Sequence, residues 1–256
     1  MDLGLRGKVA IVTGGSRGIG RAIALGLAAE GCKVAISARG AEQLEKTLGE
    51  IRATGAEAIG VQADMAVADD VQRVIAETVQ AFGGIDILVN NVGGSRPGNF
   101  MEVNDEHWAE VFQINLFAAV RASRLAAAEM RKRGAGRIIT ISSIYGRESG
   151  GPPSYNATKA AEISMSKALA RELAPDNILV NTVAPGSILF PGGSWDRRMQ
   201  ADPEGIADFI KRDFPMGRMG KPEEVANVVV FLASERASWV TGACIPVDGA
   251  QGRSNI

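Results

Sequence analysis

Short apolar runs rich in β-branched residues alternate with longer segments that are apolar at helical spacing, and this rhythm leaves few folds open to the chain. Residues 8–13 form one such run and end at glycines, a pattern that suits a strand buried on both faces. Residues 18–30 then carry Ile19, Ile23 and Leu27 at helical spacing, and Gly31 stops them. The alternation continues with strands predicted over 33–38, 58–62, 85–90, 137–142, 178–183 and 242–247. Helices are predicted over 42–54, 67–82, 105–133 and 154–173. Parallel neighbours need crossover connections, so repeated β-α units imply a parallel sheet of about seven strands with helices on both faces. One doubly wound α/β domain spanning 1–256 accounts for the pattern, since no linker separates two cores. The rhythm breaks at 186–221, which is rich in Gly and Pro, holds Trp195 and has one short helix expected over 203–212. A long excursion after a parallel strand is a place for a substrate lid.

Composition removes several function classes. The formal net charge of −1 gives no electrostatic pull toward nucleic acid or an anionic membrane. No apolar run approaches the roughly 20 residues that span a bilayer, and residues 1–8 lack a basic-then-apolar secretory pattern. Cys32 and Cys244 have no spacing partner and read as small buried hydrophobes, so a cytoplasmic protein is expected. No cluster shows metal-ligand spacing, and the single histidine, His107, reads as a surface or capping residue. Arg121, Arg124, Arg131, Lys132 and Arg133 form a basic run that reads as a solvated face or a subunit contact.

Two local patterns carry chemistry. Thr13-Gly14-Gly15-Ser16-Arg17-Gly18-Ile19-Gly20 follows the first strand and opens the first helix. Glycines there allow a tight turn and close approach of a pyrophosphate, which the free N–H groups of the helix start can bind. The turn therefore predicts a dinucleotide site. The second strand ends Ser37-Ala38-Arg39, with no carboxylate before Glu42. A carboxylate would repel a ribose 2′-phosphate, whereas guanidinium groups pair with it, so Arg39 and Arg17 point to NADP(H). Further on, Tyr155 and Lys159 are an i, i+4 pair at the start of a predicted helix. A phenol ionises near pH 10 and is a poor acid–base group at neutral pH unless an ammonium lies beside it.

Taken in order, the glycine turn, Asn90-Asn91-Val92-Gly93, Asn115, Ser142-Ser143, Tyr155-x-x-x-Lys159 and Pro185-Gly186 resemble the short-chain dehydrogenase/reductase family over essentially the entire chain. Within it, Gly-Gly-Ser-Arg-Gly-Ile-Gly, Gly-Arg-Ile-Ile-Thr-Ile and Gly-Arg-Met-Gly-Lys-Pro-Glu-Glu-Val-Ala are similar to the β-ketoacyl-(acyl carrier protein) reductase-like branch. The resemblance implies a Rossmann-like fold and hydride transfer between NADP(H) and a carbonyl or alcohol substrate, a 3-oxoacyl thioester or similar ketone. It implies Tyr155 as proton donor and acceptor and Lys159 as the group that holds the nicotinamide ribose. Asn115 would anchor a relay water, and Ser143 would bond the substrate oxygen. Gly14, Ser16, Arg17, Gly18, Ile19 and Gly20 would cradle the phosphates, and Asp64 and Met65 would meet the adenine. Asn91 and Gly93 would line the cofactor, with Pro185, Gly186 and Ile188 bracketing the nicotinamide.

The chain departs from the family pattern at Val92, at Phe190 where a threonine is usual, and in the interval from Ser143 to Tyr155. Ser142 stands at the familiar interval, but the match through the preceding strand favours Ser143. The resemblance also implies a homotetramer and a substrate that an acyl carrier protein or coenzyme A can present, the former through the basic run. A sugar, polyol or steroid substrate remains an alternative, as does a non-catalytic NADP(H)-binding protein.

Overall fold

The computed structural model describes residues 2–255. Seven parallel strands, β1 (Val9–Thr13), β2 (Lys33–Ala38), β3 (Ala58–Gln62), β4 (Ile87–Asn90), β5 (Gly136–Ile141), β6 (Ile178–Pro185) and β7 (Cys244–Val247), lie in the order β3-β2-β1-β4-β5-β6-β7. The order reverses between β1 and β4, and the crevice beyond the carboxyl ends of the strands at such a point is where α/β sheets bind ligands. β1 is buried along its whole length because helices cover both faces of the sheet.

Period-two side-chain alternation divides the core into two layers. Val12, Ile36, Val89 and Ile139 point to one face and pack with α1 (Gly18–Ala29), α2 (Ala41–Ala53) and α9 (Pro222–Ala233). Ile11, Ala35, Leu88 and Ile138 point to the other and meet α3 (Ala68–Phe82), α5 (Ala118–Arg133) and α6 (Pro153–Leu173). Helix α9 has no counterpart among the predicted elements, although Lys221-Pro-Glu-Glu carries proline and two acids in the first turn, and the Glu224 carboxylate accepts from the Lys221 backbone N–H at 2.7 Å. It packs on α1 at Gly26, where an added Cβ would lie 3.1 Å from Val230.

The helix predicted over 105–133 is interrupted. It runs as α4 (Asp105–Phe112), a π-helical turn (Gln113–Phe117) and α5. The cause is Asn115, whose side-chain amide donates to the Val111 carbonyl at 2.8 Å and so competes with the helical ladder. The basic run on α5 is largely exposed, as expected of a solvated face, and several of its members are held by local partners. Arg133 pairs with Asp86 at 2.8 Å, Arg131 with Asp176 at 2.6 Å, and Arg121 donates to the Ala66 carbonyl at 3.2 Å.

The 186–221 excursion folds into two helices where one was expected, α7 (Ser194–Ala201) and α8 (Pro203–Asp213). They bury Ile206, Phe214 and Met219 in a small cluster of their own, and Trp195 stacks on Phe209 with ring centroids 5.2 Å apart. Among the described residues no helix is long and apolar enough to cross a membrane.

Candidate active site

The glycine turn and the end of β4 are laced together by one threonine and one asparagine. Thr13 Oγ1 accepts from the Asn91 and Val92 backbone N–H groups at 2.9 and 3.2 Å. The Asn91 amide donates to the carbonyls of Thr13 and Gly14 at 2.9 and 3.1 Å. Gly14 and Gly18 take φ of +65° and +54°, which side-chain-bearing residues rarely adopt. The resulting cavity of about 620 Å³ is lined by Gly14, Ser16, Arg17, Ile19, Gly20, Arg39, Asp64, Met65, Asn91 and Gly93, among others. The elongated glycine cradle at a helix start, with two arginines on its rim and no carboxylate beside Arg39, fits a phosphorylated dinucleotide.

Gly20 shows how tight the cradle is. A Cβ there would collide with the Gly14 carbonyl and lie 2.5 Å from the Asn91 amide. Glycine-to-alanine within a helix ordinarily gains about 1 kcal/mol. Here Gly20→Ala should instead lose about 1–3 kcal/mol through overpacking and weaken cofactor binding. Urea denaturation with and without NADPH checks both; a stabilised variant would show that the turn relaxes freely.

Gly18 is the one expected cofactor residue that lines neither this cavity nor the next. The Phe190 ring covers it, and a Cβ at Gly18 would lie 2.7 Å from Phe190 Cζ. The bulky ring at the usual threonine position thus sits over the phosphate turn, a contact that the sequence did not disclose.

A second cavity of about 270 Å³ shares Ile19, Asn91, Gly93 and Phe190 with the first. Its wall brings together Ser142, Ser143, Tyr155, Lys159, Pro185, Gly186 and Ile188, with Ser194 and Trp195 contributed by the excursion. Ser142 and Ser143 differ in what their hydroxyls do. Ser142 Oγ donates to the Lys159 carbonyl at 2.9 Å, so its proton is used inside the protein. Ser143 Oγ accepts from the Tyr145 N–H at 3.1 Å, which leaves its own proton available to another acceptor.

Lys159 is 3% exposed and lies with its ammonium 5.7 Å from the centroid of the Tyr155 ring. Its three donors go to the Ile141 carbonyl at 3.0 Å and to both carboxylate oxygens of Glu162 at 3.0 and 2.9 Å. Burial works against the ammonium, but Glu162 and Tyr155 outweigh it and hold Lys159 above the usual lysine range. Burial also pushes the Glu162 carboxyl up, against the opposing pull of Lys159 and of Ser142.

Asn115 is fully buried and lines neither cavity. Its side chain accepts from Gly94 N at 3.0 Å and donates to Gly94 O at 2.9 Å. It thereby braces the chain at Gly93, where an added Cβ would lie 3.2 Å from Lys159 Nζ.

Glu162 had no role from sequence, and His107 has one beyond capping. Glu162 shares a helical face with Tyr155 and Lys159, at i+7 and i+3, a spacing that was visible but does not reveal burial. His107 is a brace between helices as well as a residue of a helix start, because its Nε2 lies 3.1 Å from Ser154 Oγ, next to Tyr155.

The family model described as enoyl-(acyl carrier protein) reductase matches residues 14–250. The 3-oxoacyl-[acyl-carrier-protein] reductase FabG of Aquifex aeolicus is 41% identical over 252 residues, covering 97% of this chain and 99% of that protein. Its counterpart from Staphylococcus aureus is 39% identical over 244 residues, covering 94% and 97%. Among solved structures, the L-sorbose reductase of Gluconobacter frateurii complexed with NADPH and L-sorbose superposes with a TM-score of 0.95. It is 38% identical, with 99% of this chain and 100% of that one covered. Likeness of this extent in both sequence and backbone, running from the glycine turn to the last strand, makes the chain a member of the short-chain dehydrogenase/reductase family.

Proposed function

We propose that this protein is an NADP(H)-dependent carbonyl reductase whose preferred substrate class is a 3-oxoacyl thioester or a similar ketone. The observation that carries the reading is the placement of Tyr155 and Lys159 on one helical face, in a cavity that shares its wall with the glycine cradle. The FabG relatives favour the thioester class.

The cradle from Gly14 to Gly20 holds the pyrophosphate on free N–H groups, with Gly18 engaged once the Phe190 ring moves aside. Arg17 and Arg39 take the 2′-phosphate. Asp64 and Met65 meet the adenine, and Pro185, Gly186 and Ile188 bracket the nicotinamide. When bound, the cofactor supplies the hydride that a carbonyl carbon accepts. Ser143 donates its free hydroxyl proton to the carbonyl oxygen and stabilises the charge that grows there. Tyr155 transfers the phenolic proton to that oxygen. Lys159 turns toward the ribose hydroxyls the donor that otherwise goes to the Ile141 carbonyl, while Glu162 keeps the other two. Asn115 fixes the backbone beside Lys159 and anchors the water through which the proton is replaced.

Arg39→Asp should lower the preference for NADPH over NADH by about 10- to 100-fold in kcat/KM, since it replaces a charge-assisted contact with repulsion. Parallel assays with the two cofactors check this, and an unchanged ratio would remove Arg39 from the 2′-phosphate site.

A sugar or polyol is the second reading. It is favoured by the hydroxyl-bearing wall of Ser142, Ser143, Ser194 and Tyr155 and by the likeness to a sorbose reductase. A panel of acetoacetyl thioesters and ketoses, assayed with NADPH, separates the two. Assembly as a homotetramer, a cytoplasmic location and delivery of substrate by an acyl carrier protein belong to the same proposal.

A further inference from the structure

Helix α6 buries Ser154, Thr158, Lys159, Glu162, Ser166, Ala170 and Leu173, and Glu162 is the single acid among them. Its side chain is 2% exposed and that of Lys159 is 4% exposed, so both charges sit out of water. Burying an ion pair forfeits two hydration shells, and a neutral side chain packed there would ordinarily serve stability as well or better. The contact is also complete. An ammonium has three protons, and here two go to one carboxylate and the third to Ile141.

We propose that Glu162 is a positioning residue of this site: its carboxylate grips the Lys159 ammonium with both oxygens and offsets its charge, so that the site favours giving a proton over taking one. This rests on the reductase reading above. An unpaired ammonium beside Tyr155 would draw the phenol strongly toward phenolate, the form that accepts a proton from an alcohol. With the carboxylate in place the pair presents little net charge to the phenol, and the protonated form that a carbonyl acceptor needs persists to higher pH. Ser142 braces the same turn of helix by donating to the Lys159 carbonyl at 2.9 Å.

The other titratable or charged groups facing this corner are few. Tyr145 comes from the 3-10 turn (Ile144–Gly146), with Glu148, Arg198 and Asp213 around it. From α4, His107 reaches Ser154. None of these contacts Lys159 among the described hydrogen bonds and ion pairs.

The chain has two tyrosines, Tyr145 and Tyr155, so a Tyr145→Phe background leaves Tyr155 as the only titrating phenol. Near-ultraviolet absorbance of tyrosinate, followed against pH in the cofactor-free protein, then reports on Tyr155 alone. Adding Glu162→Gln should move the phenolate transition about one pH unit toward acid, the low end of the shift that a nearby unit charge produces. A transition that stays in place or moves toward alkali overturns the proposal. If Glu162→Gln does not fold, Glu162→Asp withdraws the carboxylate from the ammonium while keeping an acid, and should give a smaller shift in the same direction. No shift there overturns the proposal equally. The measurement needs neither cofactor nor substrate, so its outcome is independent of the turnover assay that decides the reductase reading.

Discussion

Tyr155→Phe should cost about two to four orders of magnitude in kcat, the span that a positioned general acid contributes, and leave NADPH affinity within a factor of about three. The substitution removes one hydroxyl from a half-exposed ring that borders the catalytic cavity, so the fold and the glycine cradle lose no contact. Ser143 can still hold a carbonyl oxygen and hydride delivery remains possible, but the charge on oxygen has no proton to quench it. Loss confined to kcat, with KM little changed, marks an interaction made in the transition state. Steady-state kinetics on a ketone substrate, with NADPH binding followed by fluorescence, checks both halves. Turnover within about tenfold of the parent would be too small a loss for a general acid, and would take Tyr155 out of the mechanism.

Lys159→Met should damage stability as well as activity. In most proteins an exposed lysine can be replaced at little cost, but this one is the counter-charge of a carboxylate whose side chain is itself 2% exposed. Removing one member of such a pair costs about 3–5 kcal/mol, which for a domain of this size lowers Tm by roughly 6–20 °C. The loss depends on pH with a definite sign. Burial already raises the Glu162 carboxyl above its ordinary value, and Lys159 is the largest influence opposing that rise. Without Lys159 the folded state binds a proton at Glu162 more tightly than the unfolded chain does. The variant is then most stable below the unfolded carboxyl pKa of about 4.3 and loses stability as pH rises through the higher folded value. Its Tm deficit against the parent should therefore be larger at pH 8 than at pH 5.5, as scanning calorimetry can show. A deficit equal at both would mean that Glu162 is not left ionised and alone. Replacing the partner too, as Lys159→Met/Glu162→Leu, should recover much of the stability while leaving activity low.

What was legible in the sequence was local. The alternation of buried strands and helical segments carried the sheet and its two-sided cover, because parallel strands admit few connections. The glycine turn between β1 and α1 and the i, i+4 spacing of Tyr155 and Lys159 are short-range geometry, readable without knowing what packs around them. Helix α9 was legible too, in its proline and acidic first turn.

What only the tertiary structure decided were contacts between segments far apart in the chain. The π-helical turn arises because the Asn115 amide reaches both Val111 in its own helix and Gly94 beyond β4. Ser142 and Ser143 are chemically identical in sequence, and only their partners, the Lys159 carbonyl and the Tyr145 N–H, distinguish them. Phe190 lies over Gly18 across the cleft, and His107 bonds Ser154 from another helix. Glu162 is the sharpest case. Helical spacing puts it on the face of Tyr155 and Lys159, yet whether that acid is solvated or sealed against an ammonium depends on the sheet and helices that close over it. Spacing along one element fixes direction; burial is fixed by everything that packs against it.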